Sequence, residues 1–118
     1  MQIAQNILMG LIALEFLFIM YLETFATTSK QTARVFNTTQ AKLQDSQVQN
    51  LFKNLGIYNG LLAGVIIFAL VLQHNLVLTY IAFYIVGVAL YGAFTVSKHI
   101  IWKQGGLAII YLVLHFLN

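Results

Sequence analysis

Four apolar runs, at about residues 3–25, 55–72, 76–96 and 100–117, fill most of this chain. Each is close to the roughly 20 residues that cross a bilayer core at about 1.5 Å per residue. Hydrocarbon contains no water to bond an exposed peptide group, so segments of this kind must satisfy their backbone internally, as helices. The expected fold is therefore all-α. It is an integral membrane four-helix bundle forming a single domain over residues 1–118, with no separate water-soluble domain. The composition agrees, with 60 % hydrophobic residues, 8 % charged residues and a mean hydropathy of +0.84. A soluble domain with a polar surface to cover does not look like this. The chain has no cysteine and no proline. Disulfides, thiolate metal sites and cysteine nucleophiles are thus excluded, and no helix is broken by a pyrrolidine ring.

The first run lacks a basic leader and a small-residue cleavage site, and it is longer than a secretory core of about 7–15 residues. It is expected to remain as a span. Net charge is +3, but its distribution says more than its sum. Lys30, Arg34, Lys42 and Lys53 lie between the first two runs, Lys98 and Lys103 lie around the start of the fourth, and the connection "QHN" at 73–75 has no base. The positive-inside rule then places both basic connections in the cytoplasm and both termini outside a multi-pass cell membrane. Anionic lipid is the expected partner of these bases; nucleic acid, which needs a denser basic patch, is not.

The connection at 26–54 is too long to be structureless inside a small bundle. Its "SQVQ" at 46–49 has capping-box spacing, and Val48, Leu51, Phe52 and Leu55 follow at helical spacing. This predicts an amphipathic helical segment leading into the second span, lying on the inner membrane surface. "NTT" at 37–39 matches a glycosylation sequon, but the charge argument puts it on the cytoplasmic side.

Polar residues inside the runs are the candidates for function. Glu15 falls near the midplane, about 15 Å deep, and Glu23 about 3 Å from the inner boundary. An ionised acid at the centre of a span costs about 2.5–3.5 kcal/mol. Glu15 is accordingly expected to be neutral, hydrated or paired, and to face other helices. At 100° per residue Leu8, Ile12, Glu15, Ile19 and Glu23 share a sector of the first helix. Tyr80, Tyr84, Gly87, Tyr91, Thr95 and Lys98 form a stripe on the third, and Gln104, Ala108, Tyr111 and His115 form one on the fourth. An aromatic belt accounts for Tyr80 but not for the deeper Tyr84 and Tyr91, which are expected to bond inside the bundle. Gly56, Gly60 and Gly64 recur every four residues, the pattern that lets helices approach closely. Depth then groups Glu23, Tyr58, Asn59, Tyr91, Thr95 and Gln104 into a binding pocket, with Glu15 above it. The competing reading is a hydrogen-bond network that only fixes packing.

The ordered motifs "YLETF", "NLGIYNGLLA", "LYGAFTVSKHI" and "KQGGLAI" resemble those of small four-helix bacterial membrane proteins grouped as domain of unknown function 1304. The resemblance covers nearly the whole chain. It implies functional or structural weight at Glu23, Gly56, Tyr58, Asn59, Gly60, Tyr91, Gly92, Thr95, Gln104 and Gly105. Two positions depart from the family pattern: Glu15 replaces a common histidine, and Gly106-Leu107 replace a proline region. The first departure argues against a mechanism that requires imidazole.

Three functions fit these residues. The leading one binds or transports a small solute, ion or proton through the polar pocket. The alternative is an assembly partner or lipid-binding scaffold docking through the glycine seam. The last is an intramembrane enzyme acting on a lipid or quinone-like compound, for which the sequence offers no nucleophile–base pair, phosphate loop or metal triad. His74, His99 and His115 read as interfacial residues. No cofactor and no metal is implied; the bilayer, a second copy of the chain, and an unidentified solute, ion or lipid are the partners left open.

Overall fold

A computed structural model describes residues 2–95 and 98–117, and the described residues are helices joined by turns, with no strand among them. In chain order these are α1 (Gln2–Met20), running into a π-helical turn (Tyr21–Phe25), α2 (Lys30–Val35), α3 (Gln40–Leu43), α4 (Ser46–Val71), α5 (Asn75–Thr95) and α6 (Ile100–Leu117). Gln2–Phe25, Ser46–Val71 and Asn75–Thr95 are long and apolar enough to cross a membrane, whereas Ile101–Leu117 is shorter. The chain forms two compact units, one from the chain up to Ala13 and from Val65 onward, the other Leu14–Gly64.

In the first unit α5 and α6 pack against each other. Leu78, Thr79, Ile81, Ala82, Ile85 and Ala89 form the buried face of α5, and Gly105, Ala108 and Tyr111 that of α6. Small residues on these faces let the two helices approach closely. A Cβ at Gly105 would stand 3.1 Å from the Ala89 methyl. The rings of Phe83 and Phe116 meet edge to face, with centroids 6.2 Å apart.

The second unit is organised around the end of α1. At its π turn the Ala26 N–H donates to the Tyr21 carbonyl at 2.9 Å, five residues back, and so leaves the Leu22 carbonyl without its usual amide. Thr32, fully buried on α2, supplies the replacement. Its hydroxyl lies 3.0 Å from Leu22 O and 2.6 Å from Ala26 O, and Ser29 caps α2 by accepting from the Thr32 N–H at 3.1 Å. Thr27 donates in the same way to Glu23 O at 2.7 Å. Thr32→Val keeps the shape but removes the donor, and is expected to destabilise the protein by about 1–3 kcal/mol, the range for stranding buried carbonyls. Equilibrium unfolding in mixed micelles measures this, and an unchanged midpoint would show that the hydroxyl is dispensable.

The connection between the first two long helices is partly helical, as its length required, but its details differ from the capping-box expectation. Asp45, not Ser46, caps α4, with its carboxylate accepting from the N–H groups of Gln47 at 2.8 Å and Val48 at 3.2 Å. Asp is at least as good a cap as Ser, and here it stands one residue earlier. The amphipathic segment is the first part of α4 itself. Phe52 packs edge to face on Phe36 at 5.3 Å, while Leu51 and Leu55 stay exposed. Both α2 and α4 end in the same way. Asn37 and Gln73 take φ of 54°, and the next N–H returns five residues, Thr38 to Ala33 O and His74 to Ala69 O. This Schellman arrangement satisfies the last carbonyls without glycine.

Candidate functional site

Glu23 is the most deeply buried acid described, at 4 % exposure, and sits in the π turn. On a regular helix the eight residues from Glu15 would rotate it by about 80°; Glu15 itself is exposed on α1, while Glu23 turns inward. The Asn59 side-chain amide on α4 donates to Glu23 Oε1 at 2.7 Å. At that distance the bond is short for an amide donor, as expected when a carboxyl oxygen accepts.

Two glycines allow α4 to come this close. A Cβ on Gly56 would collide with the Thr24 hydroxyl and stand 3.1 Å from Glu23 Cβ, and one on Gly60 would collide with the Met20 sulfur. Gly64 has open space around it. Close approach also lets the Thr24 hydroxyl donate to the Lys53 carbonyl at 3.0 Å. Close approach along the glycine spacing thus operates through Gly56, about one turn before Asn59, and Gly60, the residue after it. Both positions are filled from within the same unit.

Of the other pocket candidates, Tyr58 neighbours Asn59 in sequence but is 73 % exposed. Tyr91, Thr95 and Gln104 belong to the first unit and are exposed there, and the Thr95 hydroxyl donates to the Tyr91 carbonyl at 2.8 Å within α5. Tyr80 and Tyr84 lie on that same exposed face, opposite the buried alanines. On α6, Ala108 and Tyr111 are buried, His115 is half-buried and Gln104 is exposed. Among the described residues no group of three His, Cys, Asp or Glu side chains is placed to hold a metal ion.

The first unit contains a polar feature that the sequence did not disclose. Gln2, Gln5, Asn75, Tyr111, His115 and Phe116 line a cleft of about 450 Å³. Gln2 donates to Asn6 Oδ1 at 3.0 Å and to Asn75 Oδ1 at 3.3 Å, and Gln5 is buried. The signal was present as amides in the first turns of α1 and at the start of α5, but terminal polar residues ordinarily mark an interface rather than a site.

Comparison with known proteins agrees with these motifs. A curated protein of Lactococcus lactis subsp. lactis (strain IL1403), described as "Uncharacterized protein YpaA", is 51 % identical over 118 residues, covering 98 % of this chain and 99 % of that protein. No solved structure is significantly similar. The family model described as "Protein of unknown function (DUF1304)" matches residues 10–116, and with that coverage the chain belongs to the DUF1304 family.

Proposed function

We propose that this is a four-span protein of the cell membrane, with both termini outside, that binds or conducts a small solute, ion or proton at the Glu23–Asn59 pair. Three long apolar helices support insertion. The fourth span is α6, whose 18 residues are at the short end of the roughly 17–25 that suffice; its packing along α5 and the basic Lys98 and Lys103 at its cytoplasmic end favour this. Large side chains such as Ile7, Leu61 and Phe68 are more than half exposed, which suits contact with acyl chains and not with water.

The observation that carries the function is the carboxyl of Glu23, buried in an apolar helix pair and held by an amide instead of a lysine or arginine. Even near the inner boundary, a carboxyl buried from solvent and held only by an amide among the described residues loses hydration without a counter-charge, which favours a functional role over packing alone. The scaffold alternative draws less support, because Gly56 and Gly60, the glycines a partner helix would use, are already covered within the chain.

Glu23→Gln tests the reading, since glutamine keeps an acceptor for Asn59 and removes only the ionisable group. Liposomes bearing the wild-type protein and an internal pH dye are expected to pass protons, Na⁺ or K⁺ faster than empty liposomes. The variant is expected to fold normally and to lose about tenfold or more of that flux, the scale of a removed charge-dependent step. Equal fluxes from wild-type and empty liposomes, or from wild type and variant, would reject the proposal.

A further inference from the structure

A second site, independent of Glu23, is written into the first unit. We infer that the cleft bounded by Gln2, Gln5, Asn75, Tyr111 and His115 binds the uncharged, hydroxyl-bearing headgroup of a lipid whose acyl chain lies in the adjoining apolar groove. Two observations carry this. One is that Phe116 lines both spaces, the polar cleft and a shallow, open apolar depression of about 390 Å³ whose other lining residues are Val86, Ile109, Leu112, Val113 and Leu117. The cleft is within the roughly 300–1,000 Å³ of small-molecule sites, and the open depression suits an acyl chain lying along the surface. A polar space and an aliphatic one sharing a wall match an amphiphile, and neither matches a wholly polar or wholly apolar ligand.

The other observation is the chemistry of the polar wall. Among the described residues its lining contains no Asp, Glu, Lys or Arg, so these side chains offer a phosphate or an ammonium group no counter-charge for the hydration it would lose. Amides, a phenol and an imidazole instead offer paired donors and acceptors, which is what hydroxyl groups require. Tyr111 is 2 % exposed, and its hydroxyl lies 3.5 Å from that of Thr79. Thr79 already donates its single hydrogen to the Asn75 carbonyl at 3.0 Å. Tyr111 can therefore only donate to Thr79, over a distance at the limit of a hydrogen bond, and its own lone pairs remain uncommitted. A buried phenol this poorly engaged, on the wall of a cleft, has capacity for a ligand.

Native mass spectrometry of the purified full chain in detergent, titrated with dioleoylglycerol, dioleoylphosphatidylglycerol and free glycerol, tests the assignment. Dioleoylglycerol is expected to bind one per chain, about tenfold or more tighter than its phosphatidyl counterpart, the discrimination of one unpaired buried charge or more. Free glycerol should neither bind nor compete. Tyr111→Phe, which keeps the ring, is expected to weaken dioleoylglycerol about five- to tenfold, the loss of one hydrogen bond, and Val113→Trp, which fills the groove, to abolish it. Gln2→Lys, at an exposed position, should instead reverse the preference toward the anionic lipid, a gain that misfolding cannot produce. Equal binding of the two lipids to wild type, indifference to all three substitutions, or binding of glycerol alone would each overturn the lipid site, the last assigning the cleft to a free polyol.

Discussion

Asn59→Leu is expected to lower the unfolding free energy of this protein by about 2–3 kcal/mol, the upper range for a hydrogen bond to an ionisable group. Leucine is close to asparagine in size, so the loss is chemical and not a cavity. The Glu23 carboxyl, 4 % exposed and bonded at 2.7 Å to Asn59, would keep its burial and lose its donor. The pair of changes made together should cost much less than the single one. With Glu23→Leu added, no polar group is stranded, and removing both partners of a buried bond is commonly close to neutral. Unfolding of the two single variants and the double variant in mixed micelles gives the coupling directly. Additive losses would mean that the two side chains act separately. The cycle also separates stability from the proposed conduction, because the double variant should fold and yet lack it.

The glycines of α4 should rank by what faces them. Gly56→Leu is expected to be the most damaging, at about 3 kcal/mol or more, since overpacking alone costs about 1–3 kcal/mol and its first carbon already meets the Thr24 hydroxyl and Glu23 Cβ. The Thr24–Lys53 bond would be lost with it. Gly60→Ala should be nearly neutral. Its Cβ meets the Met20 thioether, the end of a flexible chain that can rotate away, and the better helix propensity of alanine, worth about 0.8–1 kcal/mol, offsets the rearrangement. Gly64→Ala, with open space around it, should stabilise slightly. Thermal melts of the three variants in detergent check the order, and a Gly56→Leu protein that melts with the wild type would show that α1 and α4 do not approach at Thr24.

The caps show how much local chemistry was readable. Residues 46–49 announced a helix start, and one was found, but the box pattern pointed to Ser46 where the neighbouring Asp45 reaches the same amides. Two adjacent residues with capping side chains cannot be ranked by spacing alone. The glycine spacing was also readable, although only Gly56 and Gly60 face another helix closely. The tyrosine stripe of α5 was correct as a stripe, yet the backbone presents it outward and buries Leu78, Ala82, Ile85 and Ala89 instead.

Those misplacements have one source. A helix in a soluble protein declares its buried face by polar residues on the other, whereas α1, α5 and α6 are predominantly apolar and their few polar residues do not say which face is buried, as the exposed tyrosines of α5 show. Length, composition and the bonding demands of a backbone in hydrocarbon determined from sequence that the chain is helical, and its motifs determined its family. Which acid is buried was decided by tertiary structure: Glu23 meets the Asn59 amide that Gly56 and Gly60 bring within reach, while Glu15 stays exposed. The cleft at the other end of α1 likewise exists only because Gln2, Gln5, Asn75, Tyr111 and His115, distant in sequence, are brought together by packing.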